Sequence, residues 1–181
     1  MVAALPLPAN ADAHAVPAVL DIEASGFGKA SFPVEIGFVL ADGQSYCSLI
    51  RPAAHWRHWD PQAERVHRIA LPTLLAHGRG VVEVAAHLNH RLQGMTLYCD
   101  GWAHDYVWLN VLFEAAGLTP HFKLDHLRAL LSEPEAAVWG ALKQQVAAEM
   151  HLQRHRASTD ARVLQRTLMR LRDHRAATPR P

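Results

Sequence analysis

Residues 17–22, Pro-Ala-Val-Leu-Asp-Ile, form a short apolar run that ends in acid, with Glu23 directly after it. In a strand alternate side chains share a face, so Val19, Asp21 and Glu23 point one way and Leu20 and Ile22 the other. A strand apolar on both sides is expected to be covered on both sides. Carboxylates at the end of such a strand lie where open α/β sheets place their sites. Ser25-Gly26 follows as a tight exit through which backbone can approach a ligand. The competing account is a surface strand end whose acids are only solvated.

Further along, Val34–Leu40 and Ser45–Ile50 read as two strands joined by Ala41-Asp42-Gly43-Gln44, and the Asp-Gly pair makes them antiparallel neighbours. Residues 61–93 are helical in pieces, with Pro61 and Pro72 suited to first turns and Gly78 and Gly80 breaking the run. Thr96–Asp100 is a short strand, 103–116 an amphipathic helix closed by Gly117, and Phe122–Leu127 a fifth strand. Helical sequence follows over about 134–150 and from about Ser158 to His174. Three strands followed by alternating helix and strand predict an α/β fold, a mixed sheet of about five strands flanked by helices. No repeat or linker divides it, so the expectation is one domain over 16–174, after a loose leader at 1–15 and before a frayed tail at 175–181.

Two classes of function are disfavoured by composition. A net charge of +1 lacks the electrostatic footprint of a protein that coats nucleic acid, though not of an enzyme gripping a few nucleotides. No apolar run reaches the ~18–20 residues of a membrane span, and the N-terminus has no basic region of a secretion signal, so the expected location is cytoplasmic. The two cysteines, Cys47 and Cys99, have no partner at metal-binding spacing and read as buried reduced thiols.

Two more acids open helices. Asp105 begins a stripe that continues through Trp108, Leu109, Leu112 and Ala116, on the side that packs against the sheet. Asp160 precedes Leu164, Leu168 and Leu171 in the same way, with Ser158 as the expected N-cap. An acid in a first helical turn also complements the macrodipole, which is the plain alternative. Inward carboxylates are expensive without a partner. Four converging from a strand end and two helix starts would make an oxygen cage for Mg²⁺ or Mn²⁺. His155, five residues before Asp160, stands where a neutral imidazole could take a proton from an attacking water.

Together, Asp21-Ile22-Glu23, Asp105 and His155-Arg156-Ala157-Ser158-Thr159-Asp160-Ala161 resemble the three motifs of the DEDDh 3′–5′ exonucleases, over about residues 16–172. The resemblance implies a ribonuclease H-like fold. It implies two divalent ions, Mg²⁺ or Mn²⁺, held by Asp21, Glu23, Asp105 and Asp160, with His155 as general base. It further implies a nucleic-acid 3′ end as the partner, contacted by Ala24, Ser25, Gly26 and His67, with no membrane and with room for a homodimer. Two positions depart from the family. His67-Arg68-Ile69 stands where the family has His-Gly-Ile, and Asp100-Gly101 where it often has His-Asn.

Trp56 and Trp59 lie among Arg51, His55, Arg57, His58, Arg65, His67 and Arg68, a segment that either stacks bases and contacts phosphate or packs its tryptophans over the sheet. Arg162, Arg166 and Arg170 recur at helical spacing as a solvated face. Arg154 and Arg156 flank His155 within reach of a phosphate or of a neighbouring acid. Two other functions share these residues: a domain that kept the fold and binds nucleic acid or a partner without catalysis, and a phosphodiesterase of very short oligonucleotides. A zinc-binding structural role lacks ligand spacing.

Overall fold

The computed structural model describes residues 16–151 and 155–177. The expected leader and most of the expected tail lie outside them. Five strands form one sheet: β1 Ala18–Ala24, β2 Pro33–Val39, β3 Ser45–Leu49, β4 Thr96–Cys99 and β5 Lys123–His126. Their order is β3-β2-β1-β4-β5, antiparallel among the first three and parallel from β1 to β4 to β5. The helices are α1 Pro61–His67, α2 Leu71–His77, α3 Val81–Leu92, α4 Trp102–Ala116, α5 Glu133–Met150 and α6 Ala157–Ala177, with a 3-10 turn at Leu127–Leu130.

The alternation read in β1 is realised. Leu20 and Ile22 join Val84, Leu88, Leu92, Leu109 and Leu112 in the core beneath α3 and α4. Val19 joins Ala161, Leu164, Leu168 and Leu171 of α6 and Trp139 of α5 on the opposite face. A period of two in the strand and of 3.6 in the helices therefore meets on both sides of one sheet. The β2–β3 hairpin turns at Gly43, whose φ of 83° is in the left-handed region, while Asp42 Oδ1 accepts from the Gln44 amide. Gly117 ends α4 at φ 65°, its N–H reaching Glu114 and Phe113 carbonyls. Ser132 and Glu135 close a reciprocal capping box on α5.

Two expectations need correction. Ser158 lies inside α6; the Asp160 amide bonds the Arg156 carbonyl at 2.9 Å, which makes Arg156 the capping position. The Ala157 N–H is satisfied by Glu35 rather than by a local hydroxyl. Cys47 is exposed, because it sits on the edge strand β3, whereas Cys99 is buried as expected. Among the described residues no helix is long and apolar enough to cross a membrane.

Candidate active site

The acids converge at the C-terminal ends of the neighbouring parallel strands β1 and β4. Asp21 and Glu23 project from β1 on the α6 side. Asp105 reaches over from the first turn of α4, 3% exposed, with its Oδ2 buried and without a hydrogen-bond partner. Asp160 comes from the first turn of α6 and accepts the His155 amide on Oδ2 at 2.7 Å. His155 holds φ 61°, a left-handed conformation rare outside glycine and costly for other residues. Glu23, His155 and Asp160 each offer a ligand atom within 4.8 Å of the other two.

Crowding shows in the acidities. Asp21 keeps partial surface exposure, yet desolvation of its carboxyl is the chief cause of a pKa well above the usual range, followed by the charges of Asp105, Glu23 and Asp160. Burial, then Asp160 and Glu35, push Glu23 up to about 7, while Arg156 pulls in the other direction. Burial likewise raises Asp105 to about 7, against hydrogen bonds that favour its ionised form. Carboxylates this close resist ionising together, and a divalent cation reverses that preference. The donor set, mostly carboxylate oxygen with one imidazole and an orphaned Asp105 oxygen, fits Mg²⁺ or Mn²⁺.

Beside the cage opens a cleft of about 210 Å³, bordered by Glu23, Ala24, Gly26, Phe27, Val66, His67 and Trp108. Three of the four residues expected to contact substrate, Ala24, Gly26 and His67, therefore line one space with a cage carboxylate. Ser25 does not. It is buried, its hydroxyl accepts the Phe32 amide at 3.1 Å and its own amide bonds the Phe32 carbonyl at 2.9 Å, so it fastens the loop. Gly26 is required where it stands: at φ 148°, a Cβ would lie 2.5 Å from His58 Cε1. His67 Nδ1 accepts the Ile69 amide at 3.0 Å, which leaves the neutral ring's proton on Nε2, buried without a partner. Burial lowers the pKa of this imidazole, consistent with the neutral form. Arg68 occupies the left-handed cap of α1 at φ 59°, the geometry a glycine would adopt freely.

Several residues of the site were not singled out in the sequence. Phe27, 68% exposed, stands at the cleft lip with its ring 5.2 Å from that of His104. Asp100, noted only as a departure, is engaged by α5: it pairs with Lys143 and accepts Trp139 Nε1 at 3.1 Å. Trp139 and Lys143 lie one helical turn apart, but nothing local ties them to Asp100. Glu35, in the middle of an otherwise apolar strand, is fully buried against α6. Trp56 stacks on Phe32 at 4.9 Å and Trp59 leans on the same ring, so both pack rather than face solvent. Arg162 and Arg166 are exposed, as expected of a solvated face. Arg154 lies outside the described residues.

The sequence matches no protein-family model, and no curated protein matches it. Solved structures do share its architecture. E. coli Exonuclease I in complex with a dA16 oligonucleotide superposes with a TM-score of 0.68 at 14% identity, over 87% of this chain and 41% of that one. Exonuclease I from Methylocaldum szegediense gives 0.66 at 14% identity, over 87% and 40%. S. pombe Pop2p in its Mg²⁺- and Mn²⁺-bound form gives 0.56 at 13% identity, over 88% and 84%. The chain thus spans about two fifths of the length of the Exonuclease I structures it matches. At these identities the likeness is one of fold, and the fold of this chain is the ribonuclease H-like one.

Proposed function

We propose that this chain is a metal-dependent 3′–5′ exonuclease of the DEDDh type, which removes nucleoside 5′-monophosphates from a nucleic-acid 3′ end. The observation that carries the reading is the convergence of Asp21, Glu23, Asp105 and Asp160, from one strand and two helices, on a site where burial raises three of their pKa values and leaves Asp105 Oδ2 unsatisfied. When bound, two divalent ions supply charge stabilisation for the attacking and leaving oxygens. Asp21, Glu23, Asp105 and Asp160 hold them. His155 accepts the proton of the attacking water. The water oxygen bonds to phosphorus, the bond from phosphorus to the 3′ oxygen breaks, and that oxygen takes a proton from solvent to become a fresh 3′-hydroxyl.

The preference for a 3′ end rests on the resemblance of the three motifs. The cleft supports a terminal site, since it shares Glu23 with the carboxylate cluster and offers a nucleoside an apolar space between Phe27, Val66 and Trp108. His67 lines the same cleft, which supports its contact with that terminal nucleotide. A net charge near zero favours short or single-stranded substrates over long duplex tracts, which keeps the phosphodiesterase of very short oligonucleotides as the second reading.

The test is incubation of the protein with 5′-labelled DNA and RNA oligonucleotides and with dinucleotides, in Mg²⁺, Mn²⁺ or chelator. Stepwise shortening that needs metal and stops at a 3′-phosphate supports the exonuclease. Activity confined to dinucleotides supports the second reading. Cutting of closed circles, or release of 3′-monophosphates, overturns both.

A further inference from the structure

Glu35 has no exposed surface and sits in β2, a strand buried along its whole length. A carboxylate in that position costs several kcal/mol unless it is paired and hydrogen-bonded. Its ion pair and main-chain hydrogen bond come from the start of α6, with the Cys47 thiol of β3 also beside it. Arg156 Nε lies 3.0 Å from Oε1 and 3.1 Å from Oε2, Arg156 Nη2 lies 2.5 Å from Oε1, and the Ala157 amide donates to Oε2 at 2.8 Å. The ion pair is one-sided in exposure, with the Arg156 side chain 39% exposed and Glu35 sealed.

Gly37, two residues on and therefore on the same face, meets the same helical turn. A Cβ there would stand 2.3 Å from the Ser158 nitrogen and 2.6 Å from the Ala157 carbonyl carbon. Both obstacles are backbone, so neither yields cheaply. Glu35 grips the turn by charge and hydrogen bonds, and Gly37 lets its main chain rest directly on the strand.

The register completes the arrangement. Across the antiparallel pair Glu35 faces Glu23 and Gly37 faces Asp21. The turn 156–158, with His155 before it and Asp160 just after, is thus seated beside the strand pair that contributes the other two groups. We infer that Glu35 and Gly37 are positioning residues: they fix His155 and Asp160 relative to Asp21 and Glu23, and Glu35 keeps the Arg156 guanidinium from pairing with Glu23. The consequence for rate rests on the exonuclease reading, whereas the positioning itself does not.

The experiment compares the full chain with Glu35→Gln, which keeps the shape and loses the charge, and with Arg156→Lys, which keeps the charge and loses the fork. Hydrogen exchange followed by mass spectrometry reads the amides of 155–160, and electron paramagnetic resonance reads Mn²⁺ binding. Glu35→Gln is expected to speed exchange in that segment with the rest of the protein unchanged, and to weaken Mn²⁺ binding roughly 10–100-fold, the scale for groups that orient ligands. Where the parent hydrolyses oligonucleotides, kcat should fall over the same range with KM within about twofold. Arg156→Lys, which leaves the sealed carboxylate paired, should show the same pattern at smaller size and serves if Glu35→Gln does not fold. Unchanged exchange at 155–160, or acceleration spread evenly over the molecule, overturns the inference. An inactive parent with normal Mn²⁺ binding and locally loosened variants would sink the exonuclease reading and leave the positioning role standing.

Discussion

The Asp160 carboxylate turns back along α6 and accepts the main-chain N–H of His155 at 2.7 Å, so one acid of the cage also holds the histidine's backbone in its left-handed conformation. Asp160 therefore has two duties that substitution can separate. Asp160→Asn keeps an acceptor for the His155 amide, and Asp160→Ala removes it. Both variants should lose metal-dependent hydrolysis. In chelator the Asn variant should melt no lower than the parent, since a charge has left a repelling cluster. The Ala variant should fall below the Asn variant by about 0.5–1.5 kcal/mol, the net contribution of one hydrogen bond. Thermal melting with and without chelator reads both; an Asn variant that keeps parental activity would remove Asp160 from the cage.

The raised carboxylates make a prediction about pH. Glu23 and Asp105 titrate near about 7 in the folded protein, far above the range of an unfolded chain. A carboxyl that binds its proton more tightly when folded contributes stability that is full below about pH 4 and is lost as pH rises through the folded value. Chelated protein should therefore lose stability between about pH 4 and pH 7 on account of these groups. Added Mg²⁺ or Mn²⁺ should restore most at the upper end, where the carboxylates are ionised. Denaturant midpoints across that range, with metal and with chelator, check it. A metal effect of equal size at both ends would contradict the cage.

Substituting His155 by Ala should lower kcat about 10²–10⁴-fold, the usual contribution of a general base. Added imidazole should return part of the rate, since the missing group is a diffusible base. Mn²⁺ binding should drop less than in Asp21→Ala. A His155→Ala protein that fails to bind Mn²⁺ while imidazole restores nothing would reassign His155 as a ligand, an arrangement its distance of under 4.8 Å from Glu23 and Asp160 permits.

Two backbone positions should respond in opposite ways. Arg68→Gly relieves a left-handed conformation that costs ordinary residues roughly 1–2 kcal/mol, less the added freedom of glycine in the unfolded chain, so the variant should melt at or above the parent. Gly26→Ala forces a Cβ to within 2.5 Å of His58 and 2.8 Å of Asp60, at a φ of 148°, and should cost about 1–3 kcal/mol with distortion of the cleft. Melting temperatures of the two variants decide both claims.

What the sequence made legible is what local periodicity encodes. The faces of β1 and the inward stripes below Asp105 and Asp160 followed from spacing alone, because a side chain's direction in a regular element is fixed by its own neighbours. Glu35 escaped notice because its partners lie 121 and 122 residues away, and an acid inside an apolar strand carries no sign of what will meet it. Asp100 is the same case, with Trp139 and Lys143 some forty residues on. The cap at α6 was misread for a related reason. Ser158 is a good local candidate, but a strand carboxylate already served the amide at 157.

The distance in sequence between Glu35 and Arg156 also sets an order of events. Until α6 docks, closing a loop of 121 residues, the sheet must leave the Glu35 end of β2 open to water or bury its carboxyl without the partner, charged or protonated. Sealing the hairpin and β1 is therefore unfavourable before the helix arrives, and contacts this remote form slowly. Asp21 and Glu23 acquire Asp160 and His155 only in that closing step. A chain still emerging from synthesis, or one caught short of its final docking, carries the first two acids without the histidine or the fourth acid. The proposed centre thus comes into being with the finished fold, and the contact that assembles its residues is also one that completes the folding.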